Sequence, residues 1–318
     1  MTVWTRSLCL LAAVVGIGSI MPASARRAQP VPQADVACNE PALPDSFLSR
    51  AEVSLRVSVT DDDLGPIACL TGEDFTVTED GGLQTITSFL DLDVPLTVGL
   101  VVDASAAMAG SGDDIVGAAV AFARANRPED EFFAIAFNDT VNDLMSADSP
   151  FTHQPAVLRN ALRKRDVGGR RALYDAVAHG LDHAARGRLD YRALVVISSG
   201  HDTASRVTLA QLLDRLAGSP TVVYAIGIVA PDEAGGERDV LKRLTSLTGG
   251  DAYFVRTSSE LTRNLERIAR DIRTSYTIGY VPPDPEDTEK FREVKVTLAR
   301  ANSAARLRYR PGYIGGLR

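Results

Sequence analysis

Histidine is scarce in this sequence, with four in 318 residues, and none stands beside a placed acid–base partner. No Gly-x-Ser-x-Gly elbow surrounds Ser198 or Ser199. Catalysis therefore has no support in the residues, and a hydrolase is kept only as a remote alternative to a non-enzyme. No basic block interrupts the chain. Lys and Arg number 34 against 41 Asp and Glu, for a formal charge of −7, which argues against nucleic acid as the main partner. There are only three cysteines, too few for a disulfide-dense scaffold. After the first 25 residues no apolar run is long enough to cross a membrane, which needs about 20 residues.

The first 25 residues carry the pattern of a targeting segment. Arg6 supplies a positive start, residues 8–20 an apolar stretch, and Ala23, Ser24 and Ala25 small side chains at a cleavage position. Residues 1–25 are thus expected to be a signal peptide, with an uncleaved anchor as the alternative. The mature chain is expected to be secreted or periplasmic and not stably inserted in a membrane. Cys9 would leave with the signal. Cys38 and Cys69 remain as an even pair in an exported chain. They form either a disulfide, stabilising by about 3–4 kcal/mol through loop closure, or two free, partly buried thiols.

Residues 26–48 contain Pro30, Pro32, Pro41 and Pro44 with little periodicity, the composition of a linker. From there the hydrophobic period is 2. Residues 53–59 and 75–79 alternate as half-buried strands, Asp80-Gly81-Gly82 is a hairpin turn, and residues 84–89 read as one returning strand. Three short antiparallel strands make no adequate core alone. From Leu96 to about residue 270 strands alternate with helices, which implies a mostly parallel sheet covered on both faces, a doubly wound α/β domain. Residues 96–102 are almost wholly apolar, as in a central strand, and end at Asp103, at the sheet edge where such folds place ligands. After residue 271 strands return, over 275–280, 291–298 and 307–309. The expected organisation is a β-sandwich built from residues 49–94 and 273–318, framing an α/β domain over 95–272.

Several ordered motifs share a pattern: Asp103-x-Ser105, Gly168-Gly169 before Ala172-Leu173-Tyr174-Asp175, Tyr224-Ala225-Ile226-Gly227, Tyr276-Thr277-Ile278-Gly279-Tyr280 and Arg310-Pro311-Gly312-Tyr313. In this the chain resembles the von Willebrand factor A domain, and in particular the bacterial exported "VWFA-related" group. The resemblance implies the doubly wound fold, a role in protein binding or adhesion, and a metal-ion-dependent adhesion site. That site holds a divalent cation, usually Mg²⁺, through Asp-x-Ser-x-Ser, a threonine and a second aspartate.

Here the pattern is broken. Asp103 and Ser105 match, but Ala107 replaces the second serine, Arg171 stands where the threonine is expected, and Ser199 stands where the second aspartate is expected. The expectation is a degenerate site with no cofactor. The alternative is an Mg²⁺-dependent adhesin held by Asp103, Ser105 and Asp202. Arg171 has three readings: an ion pair with Asp103, an outward position beside Arg170 that receives a partner's carboxylate, or a solvated loop residue. Tyr174-Asp175 is expected to cap the helix that opens at Ala172. His179 and His183 share a helix face, but no Glu follows the first, so they read as surface histidines and not as zinc ligands. A protein partner is expected.

Overall fold

The stretch Leu96–Asp103 is mostly apolar and rich in valine, with Thr97 the one polar residue before Asp103, and it forms the central strand of the largest sheet with all eight residues buried. In this computed structural model the described residues are 52–61, 65–91, 93–228, 236–284, 287, 289–299 and 305–314, all within the unit spanning 37–318. The expected signal peptide, the expected linker and Cys38 lie outside them. Cys69 is disulfide-bonded.

The strands are β1 (Val53–Thr60), β2 (Phe75–Glu79), β3 (Gly82–Gln84), β4 (Ile86–Leu90), β5 (Leu96–Asp103), β6 (Glu131–Phe137), β7 (Val141–Asp143), β8 (Tyr191–Ser198), β9 (Val222–Ile228), β10 (Ala252–Val255), β11 (Tyr276–Tyr280), β12 (Phe291–Leu298), β13 (Arg306–Arg308) and β14 (Gly312–Ile314). The helices are α1 (Gly112–Ala125), α2 (Pro155–Arg163), α3 (Leu173–Ala184), α4 (Leu209–Ala217), α5 (Gly236–Ser246) and α6 (Ser258–Arg273).

Six strands form the central sheet in the order β10-β9-β8-β5-β6-β7, parallel except for the edge strand β7. Its side chains divide by the period of 2. Leu96, Val98, Leu100 and Val102 face the core beneath α1, α2 and α6, while Val101 faces the core beneath α3, α4 and α5. Gly99 also faces α3. A Cβ there would lie 2.2 Å from the Phe133 ring and 2.5 Å from a Leu194 methyl, so these two side chains already fill its place.

Two four-stranded sheets carry strands from both chain ends, in the orders β13-β1-β11-β4 and β14-β12-β2-β3. β1 pairs antiparallel with β11, and β2 with β12. Leu55, Val57, Phe75, Val77, Tyr276, Ile278, Tyr280, Val294, Val296 and Tyr313 close one core between these strands. Within it Glu79 is fully satisfied by Arg292 (2.8 Å), Tyr280 (2.6 Å) and Tyr313 (2.7 Å). The strand expected over residues 84–89 is instead two: β3 pairs with β2 and β4 pairs with β11, so the chain changes sheet at Thr85. The crossing brings the Phe89 ring to 5.7 Å from Phe75 and 5.5 Å from Tyr276.

A polar knot ties these strands to the central sheet. Asp271, near the end of α6, accepts from Ser58 of β1 (2.5 Å) and Tyr224 of β9 (2.7 Å), and pairs with Arg308 of β13. Arg308 also reaches Asp251 at 3.0 Å. Every member has a partner, as buried polar groups require.

Candidate functional site

The chain runs from β5 to β6 on one side of the central strand and then returns to β8 on the other. At such a reversal an open α/β sheet usually has its ligand crevice, at the carboxyl ends of the strands. Three loops line it: residues 104–111 after β5, 164–172 before α3, and 199–208 after β8. The first winds into a 3-10 turn over Ala106–Ser111 that the hydrophobic pattern does not announce.

Asp103 lies at the base, 1% exposed. Its Oδ1 accepts from the Ser105 backbone N–H (2.9 Å), and its Oδ2 from the Ser198 hydroxyl (2.8 Å). Ser198 is buried as well, and its oxygen also accepts from the Gly200 N–H. The buried carboxylate is thus held by donors from two strand ends. Of the three readings of Arg171, the ion pair with Asp103 is not made: the guanidinium is directed to Ser105 Oγ instead.

Arg171 stops one step short. Its Nε donates to Ser105 Oγ at 3.3 Å, while its backbone is clamped by the loop after β8. The Arg171 N–H donates to Thr203 Oγ1 at 3.1 Å, and its carbonyl accepts from the Thr203 and Ala204 amides. Neither terminal guanidinium nitrogen has a partner among the described residues. Arg170 is exposed and paired, its N–H and Nε both reaching Asp139. The Arg170 guanidinium holds the Asp139 carboxyl below its usual range.

Glycines allow the loop before α3 to approach so closely. Gly168 donates to the Ala104 carbonyl, and Ala106 donates to the Gly169 carbonyl. Gly169 has φ +75°, and a Cβ would fall 1.9 Å from an Asp139 oxygen. Among the remaining expected site residues, Ala107 is exposed, and Ser199 presents a buried Oγ without a hydrogen-bond partner. Asp202 Oδ1 accepts from the Tyr174 N–H (3.2 Å) and Ser205 Oγ (2.5 Å), so it holds the first turn of α3 from across the crevice. The expected cap by Tyr174-Asp175 is not made. Asp175 instead accepts from the Arg206 and Val207 amides and fixes the third loop. Ser198 and Asp202 thus take structural parts that the sequence reading did not assign to them.

The donor set does not fit a divalent cation. Such an ion wants several oxygen ligands that include charge to balance its own. Here Ser105 Oγ already accepts from Arg171, position 107 offers a methyl, and position 199 offers a hydroxyl in place of a carboxylate. A dication about 4 Å from a guanidinium would be repelled by about 8 kcal/mol at an effective dielectric of about 20.

Sheet order, the reversal at β5 and the three crevice loops together give the von Willebrand factor A fold. A solved von Willebrand factor type A structure from Catenulispora acidiphila matches with TM-score 0.50 at 11% identity, covering 84% of this chain and 75% of its own. That span exceeds what residues 95–272 alone supply, and at such identity the likeness is one of fold. An aerotolerance-related membrane protein of Bacteroides fragilis matches at TM-score 0.46 and 14% identity, over 56% of this chain and 98% of that one. Proximal thread matrix protein 1 of the mussel byssus, with a zinc-occupied adhesion motif, gives 0.48 and 13%, over 59% and 48%. No protein-family profile and no curated protein matches the sequence. No helix among the described residues is long and apolar enough to cross a membrane.

Proposed function

We propose that this chain is an exported, non-catalytic protein-binding or adhesion-type module whose adhesion site is degenerate and works without a metal. The supporting observation is the arrangement around Arg171. Its Nε is anchored on Ser105, its backbone is clamped by Thr203 and Ala204, and its two terminal nitrogens are left open. An anchored guanidinium with a free planar edge is suited to a bidentate grip on a carboxylate. A cation in an adhesion site would offer a partner's acidic side chain one positive centre; here Arg171 offers it directly. Asp103 then serves as the buried base of the site, keeping Ser105 in place through its amide. The end sheets act as a β-sandwich frame for the 95–272 domain, and residues 1–25 direct export to the periplasm or beyond.

Arginine side-chain NMR of the metal-free chain under acetate titration tests this. The Arg171 Nε–H resonance should move with acetate, and the movement should be absent in Arg171→Thr. An Arg171 resonance that does not respond, or that responds only when Mg²⁺ is added, contradicts the reading.

A further inference from the structure

We propose that Asp143, His179 and His183 form a zinc-binding site at the rim of the central sheet, separate from the crevice at Asp103. Asp143 ends the edge strand β7, opposite Ile135 of β6, and its carboxylate meets α3. On α3, His179 and His183 are spaced i, i+4 and so lie one above the other on one face. Asp143 Oδ1 is 3.0 Å from His179 Nε2 and 3.0 Å from His183 Nδ1. One ligand atom from each residue lies within 4.8 Å of the others.

The group is built in a graded way. His183 is only 2% exposed, where a surface position is expected from its helix spacing. Its ring stacks on Phe133 with centroids 4.3 Å apart at 15°, and meets the edge of Phe151 at 5.2 Å. These contacts fix the imidazole plane with Nδ1 toward Asp143. The side chains of His179 and Asp143 are 40% and 38% exposed, so an ion can enter from solvent.

Without an ion, the hydrogen bonds at this point conflict. His183 Nδ1 faces the Asp143 carboxylate at 3.0 Å and an Arg186 guanidinium nitrogen at 2.6 Å. If Nδ1 carries the proton, that proton points at Asp143 but the nitrogen turns a donor toward Arg186. If Nδ1 is bare, it accepts from Arg186 but sets its lone pair against the carboxylate. Both cannot be satisfied together. A dication resolves the conflict by taking lone pairs from Nδ1, Nε2 of His179 and Oδ1, and by replacing the charge of Arg186, which swings away.

Zinc bonds to nitrogen and oxygen of about 2.0–2.2 Å place tetrahedral ligands roughly 3.3 Å apart, so the two Asp143–histidine separations of 3.0 Å need to open by only a few tenths of an ångström, and the two histidine nitrogens start within 4.8 Å of each other. Two imidazoles and one carboxylate suit Zn²⁺ over Mg²⁺ or Ca²⁺, and three protein ligands leave a fourth position for water or for a partner's side chain. Ligation through Nδ1 leaves the His183 ring proton on the buried Nε2.

Calorimetric titration of the full chain with Zn²⁺, together with the visible spectrum of the Co²⁺-substituted form, tests the proposal. One equivalent should bind, with a four-coordinate cobalt spectrum. Asp143→Asn and His179→Ala should each weaken binding at least about tenfold, and Arg186→Ala should tighten it. Glu266→Gln, at an exposed carboxylate of α6, should leave it unchanged. Absence of Zn²⁺ binding below millimolar concentration would overturn the site. So would binding that survives both Asp143→Asn and His179→Ala, or binding lost in Glu266→Gln. His183 is left intact because its ring is part of the core.

Discussion

Two adjacent serines at the end of β8 show how little a residue's name says about its part in the crevice. Ser198 Oγ donates to the buried Asp103 carboxylate, whereas the neighbouring Ser199 Oγ is buried without a partner. Ser198→Ala removes a donor to a buried charge and should destabilise the protein by about 1–3 kcal/mol. Ser199→Ala removes an unsatisfied hydroxyl and should leave stability unchanged or slightly raised. Urea unfolding midpoints of the two variants check this, and equal losses would show that the Asp103 bond contributes nothing special. The sequence does mark Asp103, Ser105 and Arg171, because each sits at a position the ordered motifs define. It does not mark Ser198 or Asp143 as partners. Their hydrogen bonds join residues 95 and 36–40 positions apart, and such pairings are set by the sheet order and not by local spacing.

At the scale of elements, periodicity carries most of the information. The mostly apolar run of β5 and the i, i+3, i+4 stripe of α1 are legible because each must bury a face. The change of sheet at Thr85 and the short strand Gly312–Ile314 are not legible. A strand's alternation is the same whichever sheet receives it, and three residues are too few for a period to emerge. Gly99 is a further case: in the sequence it looks like a weak point in a strand, but its missing side chain admits Phe133 and Leu194 from both neighbouring strands. Gly99→Ala should therefore overpack the centre of the sheet and cost about 1–3 kcal/mol, despite alanine's smaller backbone entropy loss. A thermal midpoint equal to that of the parent chain would mean that Phe133 and Leu194 yield without strain.

For the whole molecule, strands from before and after the α/β domain meet in two sheets, and Asp271 with Arg308, Ser58 and Tyr224 joins the sheet that holds β1 and β13 to the α/β core. That meeting was expected from the shortage of core in three short strands; the knot itself was not, since it combines polar residues from four separate segments. On our reading this frame presents a crevice in which a guanidinium takes the place of a cation, and that substitution is the central claim. Its most direct test is thermal unfolding of the metal-free chain, beside the variant Ala107→Ser with Arg171→Thr and Ser199→Asp, with and without millimolar Mg²⁺. Saturating a site at about 100 times its dissociation constant adds about 2.7 kcal/mol, or several degrees. The parent chain should not respond and the triple variant should gain those degrees. A Mg²⁺-dependent rise in the parent chain would contradict the claim.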